Sequence, residues 1–433
     1  MSRRRELICD VLVIGAGPGG IAACVSAAES GAKVILVDDN AFPGGQIWRA
    51  STKESARRGA LGRDAASWFG RLRECGAMLL SSTRVVAHLG EGLVLAESES
   101  EAIEITFRSA ILATGARELQ LPFPGWTLPN VFAAGGLQAL VKSGFPVQGK
   151  RIVVAGTGPL LLAVAAFLKS NGAQIEGIYE QSPWSRMIRF VVSLLTRPAT
   201  LWSALGYGAE LRSSPFRCGW WPVSAAGKGC VRSITVTNGT DAKTIECDMV
   251  ACGFHLVPNA ELPSAFGCVL VSGKVKVDEW QRTSVEHVFS VGESTGVGGL
   301  DLALVEGRIA GLTATENMDQ AVRLFSRRMA LEKLAHAMDR AFELRQELRH
   351  LAQSDTIVCR CEDVRWGALQ QQRSLRPARL QTRCGMGPCQ GRICGAALEF
   401  LSGWKSEITR PPVYPVRLST LIREHQSVSK ENP

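Results

Sequence analysis

The sequence predicts an α/β protein with two Rossmann-like dinucleotide-binding domains, the second inserted in the first, followed by a small cysteine-bearing C-terminal domain. Three observations carry this. A strand, a glycine turn, a helix and a strand follow one another over residues 9–38, the same order recurs over 151–180, and five cysteines fall within 36 residues near the C-terminus. The recurrence reads as an internal duplication of a nucleotide-binding unit.

In the first unit the apolar run of CDVLVIGAGPGG ends in Gly15-x-Gly17-x-x-Gly20, the small-residue helix IAACVSAAESGA follows, and KVILVDD closes on Asp38. That context gives the glycine motif chemical meaning. Gly15 permits the tight turn, Gly17 lets the backbone approach a pyrophosphate, and Gly20 lets helix and strand pack closely, with Pro18 and Gly19 inside the same turn. The helix start then offers N–H groups to phosphate. Asp38 is placed to accept hydrogen bonds from adenosine ribose hydroxyls, with Asp39 as the neighbouring alternative, and a carboxylate there repels a 2′-phosphate.

The second unit, RIVVAGTGPLLLAVAAFLKSNGAQIEGIYE, supplies Gly156 and Gly158 but has Leu161 where the third glycine belongs. Helix and strand then cannot approach as closely. Glu180 still ends the following strand at a ribose-binding position. NAD fits this turn poorly, and an ADP-type ligand or an empty relic are the alternatives. The order of elements splits the first domain into 1–125 and 285–315, with the second domain at 126–284. A linker at 316–353 reads as helical, because Leu324, Leu331, Leu334, Ala341, Leu344 and Leu348 recur at helical spacings among charges. The cysteine-bearing domain takes 354–433.

Two later stretches, Ala113-Thr114-Gly115 and Gly292-Glu293, resemble the further FAD-contacting motifs of the two-dinucleotide-domain flavoproteins, which include disulfide reductases and ferredoxin reductases. The resemblance implies FAD in the first domain. That family usually has Asp in the last motif, so Glu293 keeps the carboxylate and lengthens its reach. FPGGQIW, with Gly45 and Gln46, stands where one branch keeps a redox-active cysteine pair. No CxxC occurs in residues 1–315 and the one CxxxxC, Cys247 with Cys252, brackets a strand far along the chain from FPGGQIW; with Cys9, Cys24, Cys75, Cys218, Cys230 and Cys268 dispersed, all eight are simplest as structural use. Flavin electrons need another exit.

Composition narrows the class. Hydrophobic residues make up 46% and charged residues 21%, with 44 Gly, which describes a globular protein. The net charge of +9 is scattered and shows no basic stripe interleaved with aromatics, so nucleic-acid binding is not expected and solvated charge or an acidic partner is. The first apolar run goes straight into a glycine motif rather than a signal-peptide order, so the mature chain is expected to start at or near Met1. No uncharged run reaches the roughly 18–20 residues of a membrane span. The stretch 187–207 comes closest, but Arg189, Arg197 and Pro198 interrupt it, and it reads as a buried helix pair or a partner-facing surface, with a membrane-surface contact as the weaker reading. The expected compartment is cytoplasmic, with membrane association through an electron acceptor, so 13 Cys point to metal or redox chemistry.

The C-terminal cysteines are Cys359, Cys361, Cys384, Cys389 and Cys394. Structural zinc favours paired CxxC knuckles, which CxC followed by C-x4-C matches poorly. Iron clusters take cysteine thiolates, usually four, and glycine-rich loops such as GMGPCQGR can turn backbone N–H groups towards sulfide. CRCEDV with GMGPCQGRIC resembles the [2Fe-2S] domain related to bacterioferritin-associated ferredoxin, in the version fused behind a flavoprotein. The whole arrangement resembles the α subunit of heteromeric bacterial amine dehydrogenases, a family with opine oxidases, D-hydroxyproline dehydrogenase and hydrogen cyanide synthase among its members. The resemblance implies Cys359, Cys361, Cys389 and Cys394 as ligands, with Cys384 as the alternate. It also implies a division of labour: an FAD-dependent, amine-oxidising β subunit of about 400 residues, a small third subunit in some complexes, and FMN at a subunit boundary in related ones. Electrons then leave through this chain's cluster to a quinone or another carrier. No catalytic acid/base pair is expected here, and His255 reads as a loop residue. A self-sufficient NAD(P)H-dependent FAD/[2Fe-2S] reductase is the alternative, with Leu161 against it.

Overall fold

The computed structural model describes residues 4–48, 60–90, 92–194, 206–208, 210–405 and 410–422. Its first sheet begins with β1 (Arg5–Ile14), β2 (Val34–Val37) and β3 (Met78–Leu80), continues with the ribbon β4 (Arg84–Gly90) and β5 (Leu93–Glu97), and turns back through β6 (Ala102–Leu112). The order is β3-β2-β1-β6-β5-β4. β1 is central and parallel to both neighbours, pairing Val11 with Val34 on one side and with Ser109 on the other. All four residues of β2 are buried. Strands covered on both faces need such unbroken apolar runs, which is why VILV does not alternate with polar residues.

The second sheet is parallel throughout. It is built from β7 (Val131–Ala133), β8 (Arg151–Gly156), β9 (Gln174–Glu180), β10 (Phe216–Cys218) and β11 (Met249–Gly253), in the order β10-β9-β8-β11-β7. A three-stranded antiparallel sheet over 221–246 extends this half. Two short antiparallel strands, Ala116–Glu118 and Leu256–Pro258, carry the chain out to this half and back. β12 (Val288–Ser290) then rejoins the first sheet beside β6.

Helices fix the glycine turns. α1 (Pro18–Glu29) follows β1, α2 (Ala134–Lys142) follows β7, α3 (Pro159–Ser170) follows β8, and α4 (Trp184–Leu194) follows β9. α5 (Leu300–Ala314) lies on α1 through two glycines: a Cβ at Gly307 would stand 2.1 Å from the Gly19 carbonyl oxygen, and one at Gly311 2.4 Å from that of Ala23. That approach clamps the returning segment beneath the first glycine turn. α4 leaves Trp184, Ile188, Val191 and Val192 exposed, so the described part of the 187–207 stretch is not a buried helix pair. Residues 195–205 of that stretch lie outside the described residues.

The linker departs from the expected single helix. It runs as a short helix Met318–Val322, then α6 (Phe325–Ala341), then a 3-10 turn Gln346–His350, and Arg345 between the last two is extended at φ −69°, ψ 151°. No proline or glycine marks the break. Side chains of the second Rossmann unit take up the Phe342 and Glu343 carbonyls and the Arg345 N–H instead, and a helix cannot use those groups twice. Beyond it, the hairpin Ile357–Cys359 with Val364–Arg365, α7 (Leu375–Thr382) and α8 (Cys394–Ser402) enclose a small core of Val358, Leu369, Leu375 and Leu398, completed by Cys359, Cys384 and Cys394.

The α1 and α5 contact gives a first prediction. Gly307→Val places its side chain against the Gly19 carbonyl and is expected to cost about 1–3 kcal/mol, the range for an overpacked core. Flavin content per chain and the thermal midpoint check this, and both should fall.

Candidate flavin and cysteine sites

Gly15 adopts φ +105°, and a Cβ there would lie 2.3 Å from the Ala113 carbonyl oxygen. Gly20 packs closer still, its missing Cβ 1.8 Å from the Gly15 carbonyl oxygen, whereas Gly17 faces open space at the N-terminus of α1 with Pro18 in the first helical turn. The turn is therefore tight inside and open outside, as a phosphate cradle must be. The loop carrying Gly45 and Gln46 lies over it: Gly44 N–H donates to the Ala16 carbonyl at 2.7 Å, a Cβ on Gly45 would reach the Gly17 Cα at 3.0 Å, and Gln46 is exposed.

Asp38 is buried and accepts from the Ala16 N–H, from Asn40 N–H at 2.8 Å and from the Asn40 amide at 2.9 Å. Asp39 is exposed and pairs with Arg84 at 3.3 Å. Glu293, in the last motif, accepts from Gly299 N–H at 3.1 Å through Oε1, while its Oε2 is buried with no partner among the described residues. Burial pushes this carboxyl up. An orphaned buried acceptor beside a glycine-rich turn fits a flavin that brings hydroxyl donors. Glu306, which the sequence did not single out, supports the same turn by accepting from Gly292 N–H at 2.8 Å. Its burial inside α5 pushes it to about 7.

Thr114 and Gly115 are bound to Asn259, which arrives from the other crossover strand. Thr114 Oγ1 donates to the Asn259 carbonyl at 2.7 Å, Asn259 Nδ2 returns a bond to the Thr114 carbonyl at 2.9 Å, and Asn259 N–H donates to the Gly115 carbonyl at 2.9 Å. Arg117 then donates to Asn259 Oδ1 at 2.7 Å, pairs with Glu261 at 2.8 Å, and gives its Nε–H to the Arg392 carbonyl at 2.9 Å. Arg392 lies between Cys389 and Cys394, so one side chain ties the flavin-type turn to the cysteine loop.

The five C-terminal cysteines converge. The thiols of Cys359, Cys384 and Cys394 lie within 4.8 Å of one another, with Cys384 and Cys394 at 4.0 Å. Cys361 and Cys389 share a hydrogen bond at the outer side, Cys361 being exposed and Cys389 half-buried. Gly385 N–H points at the Cys359 sulfur at 3.5 Å. A cavity of about 330 Å³ is lined by Cys359, Cys361, Cys389 and Cys394 together with Gln120 and Trp126, and the Gln120 Nε2 is buried without a partner among the described residues. The contact with Cys384, then burial, pushes the Cys394 thiol up, and burial does the same to Cys359. A cation among these sulfurs reverses that balance, because thiolates then face positive charge. Sulfur ligands, a backbone donor and a free amide donor suit an iron–sulfur group.

The second unit differs in its surroundings. Gly156 repeats the tight turn, but Glu180 is buried, accepts from Thr157 Oγ1 at 2.7 Å, Gly158 N–H at 2.7 Å and Ser182 N–H at 2.8 Å, and is pushed by burial to about 7. Leu161 is buried in the core behind the turn. His255 stands at the crossover with φ +128°, its Nε2 4.0 Å from Asp339. The dispersed cysteines hold one surprise: Cys24 on α1 hydrogen-bonds Cys75, and that bond brings the Cys75 thiol to about 6. The 51-residue spacing carries no motif, so no local signal could have paired them.

Glu180 and Glu306, both raised to about 7, predict a pH dependence. Between about pH 4.5 and 7 the folded chain holds protons that the unfolded chain releases, so this contribution to stability is present at the acid end and is lost as pH rises. The unfolding midpoint of Glu180→Gln should vary less across that window than that of the natural chain, and equal slopes would contradict the assignment.

Among proteins of known identity, residues 9–202 match the pyridine nucleotide-disulphide oxidoreductase family model. Hydrogen cyanide synthase subunit HcnB of Pseudomonas aeruginosa is 30% identical over 421 residues, covering 88% of this chain and 90% of that protein. An opine oxidase subunit of Agrobacterium tumefaciens is 30% identical over 462 residues, covering 95% and 91%. In fold, L-proline dehydrogenase from P. horikoshii superposes with a TM-score of 0.72 at 17% identity over 98% of this chain and 81% of its own. No helix of the described residues is long and apolar enough to cross a membrane. The chain thus belongs to the family of flavin-dependent oxidoreductase subunits that holds hydrogen cyanide synthase subunit HcnB and its opine oxidase counterpart.

Proposed function

We propose that this chain is the flavin and iron–sulfur electron-transfer α subunit of a heteromeric dehydrogenase that oxidises a secondary amine or amino acid, of the opine or D-hydroxyproline class, at its CH–NH group. One observation carries the reading: a flavin-type turn and a group of sulfur ligands lie on one chain, joined through Asn259 and Arg117. Oxidation of the amine to an imine releases a hydride and a proton, and the partner subunit with its own flavin is the hydride acceptor. Bound FAD and a [2Fe-2S] cluster supply two-electron and one-electron chemistry respectively, so together they convert a pair of electrons into single steps.

This chain's residues bind and orient. The N-terminus of α1 and Gly17 receive the pyrophosphate, Asp38 the adenosine ribose, and Thr114, Gly115 and Glu293 the flavin end. Cys359, Cys361, Cys389 and Cys394 are the proposed ligands, supported by the cavity they line together. Cys384, which does not line that cavity, is the proposed spare thiol, although its 4.0 Å approach to Cys394 in the three-thiol group leaves it within reach of an exchange. A quinone or another one-electron carrier would then take electrons from the exposed side near Cys361.

Two experiments follow. Cys389→Ser is expected to abolish the visible absorbance of the reconstituted cluster, whereas Cys384→Ser largely preserves it; the reverse result would exchange their roles. Anaerobic addition of NADH to the chain alone should leave its flavin oxidised, and bleaching should require an amine together with the partner subunit. Rapid bleaching by NADH alone would replace the subunit reading with a self-sufficient reductase.

A further inference from the structure

The molecule contains its own control for nucleotide access, because the two Rossmann units present the same four positions. In the first, the acidic residue Asp38 is followed by the exposed Asp39 and the half-buried Asn40, so the mouth beside the ribose position is open. In the second, Glu180 is followed by Gln181 and Ser182, both with 0% exposure. Three polar side chains in a row are buried where an adenosine would enter. What covers them is the break in the linker, some 160 residues further along the chain.

The cover is bonded group by group. Thr157 Oγ1, in the second glycine turn, lies 3.4 Å from the Phe342 carbonyl. Gln181 Nε2 donates to the Glu343 carbonyl at 3.2 Å, and Gln181 Oε1 accepts from Arg345 N–H at 3.2 Å. Arg345 also reaches the Gln181 carbonyl at 3.4 Å and stacks on Trp221 at 4.2 Å. α4 holds the segment from outside, with Phe190 edge-on to Phe342 at 5.3 Å and Arg186 paired with Glu343 at 3.2 Å. α6 anchors the other end, where Asp339 pairs with Lys274 at 3.3 Å.

We infer that residues 342–345 are a built-in plug which occupies the adenosine end of the second dinucleotide fold, so that this unit takes neither a nicotinamide nor an adenine nucleotide. Phe342 and Arg345 are its specificity-determining residues. A dinucleotide needs the ribose acceptor on Glu180, which Thr157, Gly158 and Ser182 already engage, and the space beside Gln181, which the plug takes. The glycine turn itself remains open at Gly158, where a Cβ would meet nothing within 4 Å, so exclusion acts at the nucleoside end. The plug also joins the linker to the second unit, which restricts how far the cysteine-bearing domain can swing. It acts in the same way whichever amine the partner oxidises.

The test uses the full chain with its flavin. Calorimetric titration with NADH and, separately, with ADP should show no saturable binding up to about 1 mM, a ceiling worth about −4 kcal/mol. Phe342→Gly with Arg345→Ala, at unchanged flavin content, should gain ADP affinity by at least about tenfold. Hydrogen exchange of the natural chain gives a third readout that needs no variant, with the Arg345 amide protected at the level of the sheet cores. Micromolar binding by the natural chain, a folded variant with no gain, or fast exchange at Arg345 would each overturn the plug. Binding of NADH without flavin bleaching would refute the plug alone and leave the subunit reading intact, whereas bleaching would refute both.

Discussion

Arg117 is the interaction on which the architecture turns. It stands on the strand that leaves the first domain, bonds Asn259 and Glu261 just past the strand that returns, and gives a third bond to the backbone between two cysteines of the C-terminal domain. Arginine suits the task because its planar fork serves several acceptors at fixed angles and stays charged. Removing it would leave Asn259 Oδ1, the Glu261 carboxylate and the Arg392 carbonyl, all partly buried, each short of a donor. Arg117 thus ties the flavin-type turn directly to the cysteine loop, alongside the Trp126 bond to Ile357 and the packing of Ile393, Ala396 and Phe400 on the second unit.

The C-terminal domain needs such external support. Its core is small, and three of the residues that fill it are the thiols Cys359, Cys384 and Cys394. Domains of this size bury too little apolar surface to be robust alone, and metal binding commonly supplies the missing stability. Trp126 adds a contact from outside by donating to the Ile357 carbonyl at 2.6 Å, and Arg392 braces the domain from within by donating to the Val413 carbonyl at 2.6 Å while covering the Tyr414 ring. Function and folding therefore draw on the same sulfurs.

What could be read from the sequence was local. The strand, glycine turn and helix of each unit are written within about 30 residues, and the geometry around Gly15, Gly17 and Gly20 follows from contacts inside that span. The cysteine group was legible through density and spacing. Contacts between distant segments left no trace: Arg117 lies in an ordinary ATGARE, the plug at 342–345 has no helix-breaking residue, and Cys24 and Cys75 share no motif. The periodicity that suggested one continuous linker helix was real on each side of the break. It failed where backbone groups found partners in another domain, which propensity cannot register.

On the proposed function, electrons cross this chain between flavin and cluster along the segment Arg117 secures. Rapid-freeze electron paramagnetic resonance of the reconstituted heteromer, reduced by its amine, measures that crossing directly. The reduced-cluster signal is expected to appear after flavin reduction, and Arg117→Met to slow its appearance while flavin reduction by the amine keeps its rate. A cluster that stays oxidised throughout turnover, or one whose reduction is untouched by the substitution, would contradict it.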